Sequence, residues 1–520
     1  MRALNVLLSI VVSVLIFLLV FEGGLRLIGK GPPQTLNRFD PALGWSKEPN
    51  KSLSRHGNGW EATFELNALG LRDDPMSSSG KTRPFRVVAL GDSFTLGFTV
   101  QREDLFVDLL EKKWQAEGRD LDIVNTGTEG YSTDQEAAWL DRHGADYQPN
   151  LVLVFPYEND IFWCGEAHYL RFPKPQYEPD GRPTGALLAD PGPKTLADRF
   201  AVASLGSKLL GLRPDLDRYC EVPGNPKLRS EFAPLLRTPP PFVAQAMARA
   251  KGSLSALSKR CAALGAKLVV VPIPSHSAVD PAFADEFGTK VLRVSRGEWS
   301  PDLPVDFYLS ASKELGIATI DTRPDLKAAH SADRPAYLHM FKDREWHFTA
   351  HGNHAFAAAV AAGLDAGALP KATGAPVEIP EEHVAKALPK WPFVLGGLWL
   401  VLSLVYGATY PKSPKIQGFL VVGVMLSLVV GIFLGVAKLT ELVPARFQSL
   451  IIIGFLLTVL GFVVYKLGAR LLTVGELLKA FIGRGHWYLM PLVVVLLTIG
   501  SLLVVAASSP FVAPFIYTLF

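Results

Sequence analysis

Phe85-Arg86-Val87-Val88-Ala89-Leu90, followed by Gly91-Asp92-Ser93-Phe94-Thr95-Leu96-Gly97, is the stretch on which the reading of this chain turns. Its first half is a short apolar, β-branched run flanked by proline and glycine, as expected of a buried strand. Its second half puts a serine directly after the strand's carboxyl end. Similar runs recur at Asp122–Asn125, Leu151–Phe155, Lys267–Ile273 and Ile317–Ile320. Between them the spacing of apolar residues predicts helices over 104–116, 134–143, 242–264, 302–315 and 351–369. Near-continuous apolar strands crossed by amphipathic helices imply an α/β fold with a parallel sheet covered on both faces. Residues 161–241, rich in proline, glycine and aromatics, break the rhythm and read as an insert beside the site. Residues 31–80 read as an irregular lead-in, and 370–390 as a linker.

In open parallel sheets ligands bind at the carboxyl ends of the strands. Four polar blocks fall there. The first is 91–97. The second is Asn125-Thr126-Gly127-Thr128-Glu129-Gly130-Tyr131, and the third Glu158-Asn159-Asp160-Ile161. The fourth, Asp343-Arg344-Glu345-Trp346-His347, precedes the final helix. Acyl transfer needs this set. A serine hydroxyl needs a histidine to take its proton, and a carboxylate to orient the imidazole. The oxyanion needs preorganised donors. Ser93 fits the nucleophile and His347 the base. The N–H groups of Ser93 and Gly130, with the Asn159 amide, fit the oxyanion donors.

The blocks GDSFTLG, NTGTEGYSTDQE, ENDI and HFTAHG resemble those of the SGNH (GDSL) hydrolase superfamily, and PALGWSKEPN and LNALGLRD resemble its exported bacterial branch. The resemblance runs over roughly residues 40–370. It implies a flavodoxin-like three-layer α/β/α domain acting on carboxylic esters or transferring acyl groups, with Ser93, Gly130, Asn159 and His347 in the roles just given. Two departures stand out. Tyr157 occupies a position where that family usually has glycine. The acid usually lies two or three residues before the histidine, and is usually aspartate. Here Arg344 is at −3, Glu345 at −2 and Asp343 at −4. Residues two apart on an extended segment share a face, which favours Glu345. Asp343 through a bend, or a Ser–His pair assisted by backbone alone, are the alternatives.

A zinc site on His347, His351 and His354 would need the helix to begin before His347, whereas Thr349 is a candidate N-cap. No metal and no cofactor are expected. Cys164, Cys220 and Cys261 are the three cysteines. Unpaired thiols are the preferred reading, with Cys164–Cys220 the candidate disulfide.

Composition places this domain in a larger chain. The 520 residues are 19% charged and 49% hydrophobic, an average of two unlike parts. Residues 1–30 hold four charges and 391–520 hold ten, so 31–390 has the soluble share of about a quarter. The run from Ala3 to Phe21 is charge-free and long enough for an uncleaved anchor. Four further runs, near 391–410, 418–436, 449–465 and 488–507, predict a four-helix transmembrane region over 391–520. Lys412 and Lys415 in one loop, and Lys466, Arg470, Lys479 and Arg484 in another, set these loops in the cytoplasm by the positive-inside rule. The expected organisation is an anchor at 1–30, an extracytoplasmic domain at 31–390 and a membrane region at 391–520. It predicts a multi-pass protein of a bacterial cytoplasmic (inner) membrane with its main domain extracytoplasmic, on the periplasmic side.

The net charge of +3 splits by these regions into +2, −5 and +6, so it implies no nucleic-acid partner. Expected partners are an acyl-ester substrate (carbohydrate or lipid), the bilayer and other membrane subunits. The last residues, ending Ala513-Pro514-Phe515-Ile516-Tyr517-Thr518-Leu519-Phe520, resemble small bacterial membrane proteins with a similar ending. That, with the irregular acid position, supports an alternative: a non-catalytic scaffold or assembly subunit of an envelope polysaccharide or modification complex, whose domain binds ligand without turnover.

Overall fold

The computed structural model describes residues 35–76, 83–170, 172–185, 188–190, 192, 195–209, 218–364 and 366–372, with 18, 21–23, 25, 26, 399, 400, 403, 416, 419, 420, 423 and 424. The chain divides into two compact units. One comprises residues 34–193 and 213–381; the other comprises 1–33, 194–212 and 382–520.

Two antiparallel hairpins open the larger unit. The first pairs β1 (Asn37–Asp40) with β2 (Gly44–Lys47), and the second β3 (Ser52–Gly57) with β4 (Trp60–Glu65). The sequence reading names no strands there, only a Pro/Gly/Asn/Ser-rich lead-in. The residues 52–57 and 60–65 do alternate between faces across the Asn58-Gly59 turn, which is a hairpin signal.

The central sheet holds β5 (Phe85–Gly91), β6 (Leu121–Asn125) and β7 (Leu151–Phe155). The insert supplies two short hairpins, β8 (His168–Tyr169) with β9 (Phe172–Pro173) and β10 (Tyr219–Val222) with β11 (Asn225–Arg229). Strands β12 (Lys267–Val270) and β13 (Ala318–Thr319) complete the sheet in the order β13–β12–β7–β5–β6, with all neighbours parallel. The first sheet strand in sequence, β5, thus lies between the second and third. This is the flavodoxin-like order, and its switch point falls between β5 and β7.

Alternation along β5 and β7 sends successive side chains to opposite faces. Val87, Ala89, Leu153 and Phe155 pack with Phe106, Leu110, Trp114, Phe356 and Val360 from helices Phe106–Ala116 and Ala350–Gly363. Val88, Leu90, Val152 and Val154 pack with Trp139, Leu140, Leu254, Leu257 and Tyr308 from helices Thr133–Tyr147, Pro241–Leu264 and Leu303–Glu314. The three-layer α/β/α arrangement follows. Each predicted sheet strand and helix is present, with ends displaced by a few residues except at the last helix. That helix stops at Gly363 rather than 369, and a short 3-10 turn at Ala366–Ala368 follows.

In the other unit, the Glu22 carboxylate accepts the N–H groups of Ala201 and Val202 at 3.0 and 2.9 Å, and pairs with Arg26 at 2.6 Å. The five expected membrane runs lie almost wholly outside the described residues. Among the described residues no helix is long and apolar enough to cross a membrane.

Candidate active site

Strand β5 delivers Ser93 to the switch point. Asp92 Oδ1 accepts the Phe94 N–H at 2.8 Å and so caps the one-turn helix Ser93–Leu96 that begins with the serine. Asp92 is buried, and burial raises its carboxyl to about 6 against the opposing pull of the Phe94 N–H and His347.

The loop after β6 is tied to that same turn. Asn125 Nδ2 donates to the Thr95 carbonyl at 2.9 Å, while its Oδ1 accepts the Gly127 N–H at 2.9 Å. Gly130 has φ +77°, and a Cβ there would lie 2.8 Å from the Tyr169 ring, so glycine is required on both counts. Trp45 of β2 clamps the loop. Its Nε1 donates to the Glu129 carbonyl at 3.1 Å, and the Tyr131 hydroxyl donates to the Trp45 carbonyl at 2.5 Å. The Glu129 carboxylate takes both Arg55 Nη groups, at 2.7 and 3.1 Å, and lies 3.6 Å from Lys47 Nζ. Burial alone would raise Glu129; the two cations outweigh it and hold the carboxyl at about 2. The lead-in hairpins therefore support the site, a role the sequence reading missed.

The fourth block carries the candidate base. His347 Nε2 stands 2.7 Å from Ser93 Oγ, and its Nδ1 stands 2.5 Å from Glu345 Oε1. In the neutral ring, Nδ1–H donates to Glu345 and Nε2 accepts the serine proton. Burial pushes the Glu345 carboxyl up. The hydrogen bond and charge of His347, with the N–H groups of Trp346 and His347, bring it below its ordinary value, so it is held ionised. The imidazole is fixed from its faces: Phe98 stacks on it at 4.9 Å and 22°, and Phe94 lies at 4.6 Å. Its backbone is pinned where the His347 carbonyl accepts the Leu338 N–H at 2.9 Å.

Asp343, the alternative acid, is not at the histidine. Its Oδ2 accepts the His339 N–H at 2.7 Å and its Oδ1 faces Asn58 Nδ2 at 3.4 Å. Arg344, with φ +56°, turns the chain between Asp343 and Glu345, so the two carboxylates are held apart. The other two histidines of the triple spacing also go elsewhere. His351 contacts Arg334 and the Ala329 carbonyl; His354 pairs with Asp104 at 3.0 Å. Thr349 caps the helix by accepting the Gly352 N–H at 3.0 Å, as the sequence predicts. Cys164, Cys220 and Cys261 are unpaired, so no Cys164–Cys220 disulfide forms.

Strand β7 ends at Phe155 and leads through Tyr157 and Glu158 to Asn159, which begins the turn into helix Asp160–Gly165. Asn159 borders an open cleft that Tyr157, Glu158, Glu231, Phe232 and Trp346 also line. Tyr157 is buried against Phe94, with ring centroids 4.6 Å apart. Glu158 is raised to about 7 by burial.

A three-layer α/β/α domain with a serine, an imidazole and a carboxylate in line at the sheet's switch point has the architecture of a serine hydrolase. Residues 237–387 match the family model described as SGNH hydrolase-like domain, acetyltransferase AlgX. That segment contains Glu345 and His347, and Ser93 lies before it. Over that segment the chain is similar to an SGNH hydrolase-like domain. Residues 471–520 match DUF5989, a family of unknown function. No curated protein matches the chain. Among solved structures, TesA is 13% identical with a TM-score of 0.31, covering 55% of this chain and 99% of its own. The acetyl xylan esterase AlAXEase is 10% identical with a TM-score of 0.30, covering 54% and 100%. The lipase/acylhydrolase from Enterococcus faecalis is 14% identical with a TM-score of 0.28, covering 53% and 93%. Likenesses of this degree bear on neither activity nor substrate.

Proposed function

We propose that this protein is a serine esterase or O-acyltransferase that acts on ester-linked acyl groups, of a carbohydrate or a lipid. The observation that carries the reading is the continuous relay from Ser93 Oγ through His347 to Glu345, at 2.7 and 2.5 Å. As Ser93 Oγ bonds to the acyl carbon, its proton passes to His347 Nε2. Glu345 stabilises the resulting imidazolium. In this reading the oxyanion takes the N–H groups of Ser93 and Gly130 and the Asn159 amide. On collapse the ester oxygen leaves with the proton from His347, and the acyl group stays on Ser93. Water or an acceptor hydroxyl then gives its proton to His347 and attacks the acyl-enzyme, which returns Ser93.

The reading extends to location. Residues 1–30 and 391–520 would hold the protein in a bacterial cytoplasmic membrane, with residues 31–390 on the periplasmic side near bilayer and envelope substrates. The charge split of +2, −5 and +6 supports it. The full-length chain in detergent should release nitrophenol from a short-chain nitrophenyl ester, and Ser93→Ala and His347→Ala should lower turnover by at least about 1,000-fold. Unchanged turnover in both variants would favour the ligand-binding scaffold instead.

A further inference from the structure

At the cleft lies a second cluster that the relay does not use. His276, Asp280 and His330 each offer one ligand atom, and these atoms all lie within 4.8 Å of one another. His276 Nε2 is 3.7 Å from Asp280 Oδ2, and His330 Nε2 is 3.6 Å from the same oxygen. These separations are too long for hydrogen bonds. They are close to the ~3.4 Å edge of a tetrahedron whose bonds to nitrogen and oxygen are ~2.0–2.1 Å. His276 is 4% exposed and neither of its ring nitrogens has a hydrogen-bond partner. Buried polar groups are ordinarily satisfied, so such a ring points to a missing partner.

The ligands are held in place. The His276 ring is stacked on Phe283 at 3.8 Å and 6°, with Tyr337 on its other side at 5.2 Å and 11°. Asp280 Oδ1 caps helix Pro281–Phe287 by accepting the Ala282 N–H at 2.9 Å, which leaves Oδ2 facing the two rings. His330 is more encumbered. Its Nδ1 accepts the Ala336 N–H at 3.2 Å, so its proton sits on Nε2. Loading an ion on Nε2 moves that proton to Nδ1 and gives up this long bond.

We propose that His276, Asp280 and His330 form a binding site for a divalent transition-metal ion of the zinc type. Two imidazoles and one carboxylate are the donor set of a three-ligand site that keeps a fourth position for water or a substrate oxygen. His276 also lines the cleft that Asn159 and Trp346 border. His330, which must exchange its backbone bond on loading, is the weakest of the three ligands.

The test uses the full-length chain in detergent, made without a polyhistidine tag, stripped with chelator and titrated with Zn²⁺ by calorimetry. Co²⁺ serves as the spectroscopic probe. The expected result is one ion per chain and the intense visible bands of four-coordinate cobalt. Asp280→Asn keeps the helix cap and therefore the fold, which circular dichroism verifies. It and His276→Ala should each weaken binding on the order of 100-fold, and His330→Ala about 10-fold. Zn²⁺ should raise the melting temperature of the native chain and leave that of Asp280→Asn unmoved. Absence of binding by the native chain would overturn the proposal. So would equal Zn²⁺ affinity in native chain, Asp280→Asn and His276→Ala.

Discussion

Glu345 Oε1 stands 2.5 Å from His347 Nδ1, while the Asp343 carboxylate, two residues earlier, turns away to the His339 N–H. This contact favours Glu345 as the acid of the proposed relay. Glu345→Gln should lower kcat for a chromogenic ester by about 100- to 10,000-fold, because the amide cannot stabilise an imidazolium. Asp343→Asn should stay within about 3-fold of the native chain. Steady-state rates of the two variants check the assignment; equal losses would refute it.

Gly130 is a second point of leverage. Alanine at φ +77° costs about 1–2 kcal/mol of backbone strain, and its Cβ collides with the Tyr169 ring. The loop must shift, and the N–H proposed as an oxyanion donor moves with it. Gly130→Ala should therefore lower kcat about 10- to 100-fold with little change in KM.

Acid stability tests the support beneath that loop. Glu129 is held at about 2 against an ordinary 4.5. A depressed carboxyl contributes stability that is fully present above its unfolded value and is lost as pH falls through the folded one. The stability gap between the native chain and Glu129→Gln should thus be largest near neutrality and about 2 kcal/mol smaller at about pH 3. Melting curves of both proteins across this range measure it, and a gap independent of pH would contradict the pairing with Arg55 and Lys47.

The core layer behind β5 and β7 depends on Phe356, whose ring meets Phe106 at 4.9 Å and Phe348 at 5.2 Å. Phe348 is next to His347, so packing here sets the base as well as the fold. Phe356→Ala should cost about 3–5 kcal/mol by denaturant or thermal unfolding, and activity should fall before global unfolding.

Much of this was legible in the residues because a doubly wound sheet writes itself plainly. Runs such as Leu151–Phe155 are buried on both faces, and the polar blocks follow them at strand ends. The period-2 rule also favoured Glu345 over Asp343, since an extended segment puts residues 345 and 347 on one face. The supporting role of the hairpins of residues 37–65 was illegible for a physical reason. Their strands are short and mix buried with exposed residues, so no apolar run marks them, and the roles of Trp45 and Arg55 depend on contacts some 80 residues away. Phe98 likewise gives no local sign that it stacks on His347. The cluster of His276, Asp280 and His330 spans 54 residues with no motif spacing beyond His276 and Asp280.

The central claim is that Ser93 is the nucleophile, activated by His347. The most direct measurement is labelling of the full-length chain with a fluorophosphonate, followed by peptide mass mapping. The adduct should fall on Ser93, vanish in Ser93→Ala and form far more slowly in His347→Ala. Absence of an adduct, or one that persists unchanged in Ser93→Ala, would contradict the account.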